Sequence, residues 1–256
     1  MNNQLLLILT LATAGPIIGS LIGVIRKPKE SYMYNMLAFA GGVMLAISFL
    51  QLIPESINLI QDDLNQLENF KTISLLICAL GIFLGAIIMY LIDKIIPHIH
   101  PELCIPEQGS KLQKTSMYLL LGIFMHNIPE GMAVALGEVS ENASVIIIGL
   151  AIAIHNIPEG ICTSAPFYNI SKKRLKSFLT SSLTAIPILV GFGIASVLYN
   201  YISDTLIGLI AGLTAGFMIY IVSDGIIPNA CSTTDHKPIF SLIIGIVFVI
   251  LLGIII

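Results

Sequence analysis

Apolar runs of about twenty residues recur along the whole chain, and each is long enough to cross roughly 30 Å of hydrocarbon as a helix. They fall near 5–25, 33–60, 72–92, 116–137, 144–166, 178–200, 205–227 and 238–256. In lipid a backbone must satisfy its own N–H and C=O groups, and a helix does so within one segment. Only 11% of the residues are charged and 56% are hydrophobic, whereas a soluble domain carries about a quarter charged. Buried helices of a large soluble protein are excluded, because almost no polar face is left to meet water. The expected fold is an all-α polytopic membrane protein with eight transmembrane helices, forming a single domain over 1–256.

The first run has no basic residue before it, and Arg26, Lys27 and Lys29 follow it before a second apolar run. It reads as a helix and not as a cleaved signal. Cys78, Cys104, Cys162 and Cys231 show no paired spacing, so no disulfide framework is expected. Orientation follows from the basic residues, which gather on cytoplasmic loops. Arg26, Lys27 and Lys29 follow the first span; Lys94, Lys111 and Lys114 follow the third; Lys172, Lys173, Arg174 and Lys176 follow the fifth; Lys237 follows the seventh. Of the twelve Lys and Arg, only Lys71 falls on the other side. Both termini are therefore expected outside the cytoplasm. A wrong number of spans would scramble this alternation, so the charges support eight independently of hydropathy.

Ionisable groups within spans are costly and usually mark function. The fourth span contains His126-Asn127-Ile128-Pro129-Glu130-Gly131, and the fifth repeats it as His155-Asn156-Ile157-Pro158-Glu159-Gly160. Both hexapeptides lie near the centre of their spans, and a short turn makes the spans antiparallel neighbours. The motifs should meet near the membrane midplane. Residues three and four apart share a helix face, so each Glu stands between its Asn and its His. Pro129 and Pro158 each remove a helical hydrogen bond, which frees a carbonyl at a depth where irregular backbone lines polar cavities. Two imidazoles and two carboxylates suit zinc and accept iron(II), manganese, cobalt or cadmium. A lone His in a span is more often a hydrogen-bonded packing residue, but packing alone does not require the same His, Asn and Glu twice.

On these residues the chain resembles the ZIP (Zrt/Irt-like) divalent metal transporters, in particular their prokaryotic GufA/ZupT-like branch. The resemblance spans nearly the whole chain. It implies eight helices with both termini outside, and a metal site made by His126, Asn127, Glu130, His155, Asn156 and Glu159. Gly41-Gly42-Val43-Met44-Leu45-Ala46 on the second span is also similar to a family segment, which makes Met44 a seventh candidate ligand, with core packing as its alternative. Many prokaryotic relatives carry a Glu-Pro pair on the sixth span beside a second metal. Here that place reads Thr184-Ala185-Ile186-Pro187, with Ile186 where the acid would be, and Asn156 stands where some relatives have Asp. Two carboxylates offset one divalent ion and leave a second under-neutralised. One tightly bound metal is expected, and Ile186→Glu is expected to create a second site.

Gly42-Val43-Met44 stands ten residues ahead of Ile53-Pro54-Glu55, as Gly216-Phe217-Met218 stands ten ahead of Ile227-Pro228-Asn229. The two spans run in opposite directions, as a 3+2+3 inverted repeat requires. Glu55 and Asp224 lie near span ends, and His98 and His100 in the loop after the third span; all four are candidate pathway residues, with interfacial, capping or solvated roles as alternatives.

The expected function is uptake of zinc or a related divalent ion toward the cytoplasm, across the cell membrane, with no prosthetic group and no enzymatic activity. An intramembrane zinc-dependent hydrolase and a metal sensor without transport are the alternatives. The hydrolase needs a spare general base, whereas both glutamates are best used as ligands, and HExxH is absent. The expected partners are divalent ions and the bilayer, with no nucleic acid, and a homodimer is left open.

Overall fold

The structure is a computed structural model that describes residues 3–25, 30–95, 127–136, 144–228 and 236–255. The helices are α1 (Asn3–Ile25), α2 (Glu30–Ile47), α3 (Ile53–Leu64), α4 (Phe70–Ile95), α5 (127–135), α6 (Ser144–Ser171), α7 (Arg174–Ser182), α8 (Ile186–Tyr199), α9 (Asp204–Ile221) and α10 (Lys237–Ile255). No strand occurs among the described residues. Six segments, Leu5–Ile25, Tyr34–Leu64, Phe70–Lys94, Arg174–Tyr199, Asp204–Ile226 and Lys237–Ile254, are long and apolar enough to cross a membrane. They coincide with six of the eight apolar runs. Of the other two, the fifth is α6, 28 residues long, and the fourth is described only over 127–136.

Several spans are not uniform α-helices. A π turn, Ser48–Leu52, joins α2 to α3; a 3-10 turn, Leu183–Ala185, joins α7 to α8; and a second π turn, Val222–Ile226, continues α9. Each stands directly before an Ile-Pro pair. Proline has no N–H to give to the preceding turn, so the hydrogen bonds must shift register there. The two π turns begin four residues after Met44 and four after Met218, both fully buried. That matching position gives the Gly-x-Met…Ile-Pro similarity of the second and seventh spans a structural counterpart.

Four close helix crossings hold the spans together, and all four obey one rule. A Cβ added to Gly19 would stand 2.1 Å from the carbonyl oxygen of Ile157, and one added to Gly160 would stand 2.4 Å from that of Pro16. Each glycine thus faces the carbonyl three residues before its partner glycine. The same relation holds for Gly131 and Gly191, which face the carbonyls of Ile188 and Ile128; for Gly85 and Gly216, which face Leu213 and Ile82; and for Gly42 and Gly245, which face Leu242 and Phe39. No side chain fits at these eight positions without moving backbone. Without a hydrophobic drive between helices in lipid, such close approach supplies dispersion and weak Cα–H···O contacts instead.

The crossings sort the helices into two groups. Gly19 with Gly160 and Gly131 with Gly191 join α1 to α6 and α5 to α8. Gly85 with Gly216 and Gly42 with Gly245 join α4 to α9 and α2 to α10. Side-chain hydrogen bonds among the described residues follow the same division. Asn127 reaches Thr184, Asn156 reaches Ala12 and Thr163 meets Ser181 in the first group. Ser56 reaches Gly208 and Asp63 accepts from Thr205 in the second, which includes α3. The groups meet along an apolar seam where α2 packs on α6, with Val43, Met44, Ile47, Ala151 and Ile152 buried in one hydrophobic cluster.

Candidate metal site

Five polar residues of the two hexapeptides are buried within the first helix group: Asn127, Glu130, His155 and Asn156 are 0% exposed and Glu159 is 3% exposed. Charged and amide groups at such depth must be paired. His155 Nε2 lies 2.8 Å from Glu130 Oε1, and its Nδ1 lies 2.9 Å from the carbonyl oxygen of Ala151. A carbonyl only accepts, so Nδ1 carries a proton there. That leaves Nε2 as the nitrogen with a lone pair, facing a carboxylate oxygen. Such a contact requires a proton or a cation between the two atoms, and a divalent ion is the natural occupant once the proton leaves. The Ala151 carbonyl also orients the imidazole, as outer partners of metal-binding histidines do.

Donor atoms of Glu130, His155 and Glu159 all lie within 4.8 Å of one another. Ligands around a tetrahedral zinc stand about 3.3 Å apart, by the usual bond lengths, so small side-chain adjustments close the set. The two asparagines of the motifs are held in parallel ways. Asn127 Nδ2 donates to the Thr184 carbonyl at 2.6 Å, and Asn156 Nδ2 donates to the Ala12 carbonyl at 3.5 Å and to Glu130 Oε2 at 3.0 Å. Ala12 stands four residues before Pro16 inside α1, so its carbonyl has lost its helical donor. Thr184 stands in the 3-10 turn before Pro187. Each amide is therefore anchored by its nitrogen at a proline-broken turn of a neighbouring helix. The Oδ1 atoms of both asparagines are buried with no hydrogen-bond partner among the described residues. An anchored amide with an open oxygen is a ready cation ligand.

His126, His98 and His100 lie outside the described residues. Met44 is fully buried in the hydrophobic cluster, where its carbonyl accepts a hydrogen bond from Ser48 Oγ at 2.9 Å. Glu55 is buried on α3, directly after the first π turn, and Asp224 lies half-buried within the second. Ile186 is 45% exposed and shares a stripe with Leu183, Val190 and Val197, all exposed. Its neighbours Thr184, Ala185 and Pro187 are buried. The expectation that Ile186→Glu would build a second site beside the first is therefore corrected, because position 186 belongs to the exposed stripe of the helix.

Sequence reasoning missed the anchoring carbonyls and the role of the sixth residue of each motif. Pro16 was the available signal for the first, since a proline in a span marks an unbonded carbonyl four residues earlier. Gly131 and Gly160 are the crossing glycines, and each follows its glutamate directly. They let α8 and α1 approach closely enough for their broken turns to meet the asparagines.

The family model described as ZIP Zinc transporter matches residues 3–116 and 102–256. The zinc transporter ZupT of Chlorobium chlorochromatii is 32% identical over 231 residues, covering 86% of this chain and 84% of its own. ZupT of Corynebacterium aurimucosum is 32% identical over 230 residues with the same coverage, and ZupT of an Enterobacter species is 29% identical over 250 residues, covering 93% and 92%.

Proposed function

The chain belongs to the ZIP zinc transporter family, and on that premise we propose that it takes up zinc through the buried site on α5 and α6. Divalent metal transport is the family's activity, so the chain is not an enzyme and the hydrolase alternative falls. Iron(II), manganese, cobalt and cadmium fit the same borderline donors and belong to the proposal as further cargo. The observation that carries it is the 2.8 Å approach of His155 to Glu130 with Glu159 alongside, all inaccessible to solvent. By the motif repeat, His126 belongs to the proposed set. Two glutamates neutralise one divalent ion, and Asn156 already engages one oxygen of Glu130, which supports one ion per chain.

Eight spans in a 3+2+3 repeat, with both termini outside, give the direction of uptake. The distribution of Lys and Arg supports that orientation. The division into two helix groups with an apolar seam supports alternating access by movement of one group against the other, carrying the site from side to side. Uptake of radioactive zinc into proteoliposomes tests the function. Accumulation in wild type and background levels in His155→Ala are expected; zinc binding without accumulation in wild type would make the chain a sensor. In a cysteine-free variant, cysteines placed at Asp63 and Lys173 should label from opposite sides of intact cells. Labelling of position 173 from outside would reverse the direction.

A further inference from the structure

We propose that the α6–α7 corner binds one anionic phospholipid, with its phosphate held by Lys173 and Lys176 and an acyl chain lying along α7 and α8. A shallow, open groove lies there, lined by Lys173, Leu175, Lys176, Leu179 and Thr180. Its lining combines two lysines with two leucines and a threonine.

Charge complementarity identifies the occupant as an anion. No Asp or Glu occurs between Glu159 and Asp204, so the local sequence offers the lysines no countercharge. Arg174 is engaged elsewhere, its guanidinium 5.8 Å from the Tyr168 ring centre and its Nε donating to Tyr168 Oη at 3.4 Å. The corner itself is fixed. Lys172 takes a left-handed backbone (φ 54°), Ser171 and Ser177 hydroxyls meet at 2.7 Å, and Lys173 N donates to Ser171 Oγ. The lysines are thus displayed from an ordered turn. In keeping with an anion, α7 starts with no side-chain cap and no acid in its first turn.

The apolar half identifies the anion as a lipid. α7 buries hydroxyls, Ser177 and Ser181, and turns leucines outward. Leu175, Leu179, Leu183 and Ile186 are 69%, 54%, 49% and 45% exposed and succeed one another along one face. At 1.5 Å per residue this ladder runs about 16 Å, close to the hydrocarbon depth of one leaflet. A free phosphate would use the lysines and ignore the ladder; a phospholipid matches both. Because α7 packs on α1 and α6, the lipid would grip the helix group that carries the metal site.

Delipidated protein in detergent, titrated with phosphatidylglycerol and with phosphatidylcholine and read by native mass spectrometry, tests this directly. Wild type should retain one phosphatidylglycerol per chain in preference to phosphatidylcholine. Each lysine near an anionic surface contributes about fivefold, so Lys173→Gln with Lys176→Gln should weaken retention roughly 30-fold. Leu179→Asn should weaken it while leaving both charges in place. Zinc binding at the α5–α6 site, measured in parallel, should be unchanged in every variant, which separates misfolding from loss of lipid. Equal retention of phosphatidylglycerol by wild type and the lysine variant would overturn the proposal. So would displacement of the lipid by millimolar inorganic phosphate alone, which would make the corner a phosphate site.

Discussion

The two helix groups use the same packing device for different ends. Both are closed by two mutual glycine crossings of one geometry: Gly19 with Gly160 and Gly131 with Gly191 in the first, Gly85 with Gly216 and Gly42 with Gly245 in the second. The residues beside the glycines differ. In the first group Glu130 and Glu159 directly precede Gly131 and Gly160, and the crossing helices present the Thr184 and Ala12 carbonyls to Asn127 and Asn156. In the second, Gly41 and Ala215 precede Gly42 and Gly216, and the core around them is Val43, Met44, Ala211 and Met218. A close crossing is therefore a neutral scaffold. The proposed cation site lies where carboxylates flank the crossing and prolines leave carbonyls for side chains to hold.

The sharpest way to break this comparison is to remove a ligand from one group and a buried polar residue from the other. His155→Ala should lower zinc affinity about 100-fold or more, since loss of even an outer partner costs 10–100-fold. Wild type should keep one zinc per chain after desalting and this variant none, by metal analysis. Ser56→Ala, which removes the 2.6 Å bond to Gly208 in the second group, should leave zinc retention intact. Equal losses in both would mean that the metal is held across the seam.

If the crossings are equivalent scaffolds, adding a methyl to either should destabilise by similar amounts. Gly160→Ala and Gly216→Ala each drive a Cβ into a backbone carbonyl, at 2.4 Å and 2.1 Å. Each should cost about 3 kcal/mol, the upper part of the range for overpacked cores, read as a matched fall in thermal midpoint. A fall confined to Gly160→Ala would show that the second group has slack and that its crossings are not load-sharing equals of the first.

A smaller effect contrasts Asn156 in the first group with Met44 in the second. Asn156→Ala should weaken zinc about tenfold, as loss of an anchored outer or weak ligand does, because it removes both an open Oδ1 and the donor to Glu130. Met44→Leu, in the second group, should change zinc affinity by less than about threefold if Met44 is core packing. A larger loss from Met44→Leu would bring the second group into the site and blur the division.

Much of the site was legible because its residues are costly in lipid. His155, Glu130 and Glu159 stand out in the sequence against apolar neighbours, and the repeated hexapeptide gives their spacing without any coordinates. The spans were equally legible, since twenty apolar residues have few alternatives to a helix. The breaks in α2–α3, α7–α8 and α9 were signalled by Ile-Pro pairs, although their kind, π or 3-10, was not.

What the sequence by itself determined is that this chain is a bundle of membrane helices with one repeated set of His, Asn and Glu, because helical period and the cost of buried charge act locally. Only the tertiary structure decided which helix stands behind each motif. The reciprocal rule of the glycine crossings links residues far apart in the chain, as Gly19 is from Gly160, and no local pattern distinguishes a glycine that meets a carbonyl from one that faces open space, as Gly193 does. The same reason separates Thr184 from Ile186: two residues of one short segment, one buried against Asn127 and the other on the exposed stripe, a choice set by how α8 rotates onto α5.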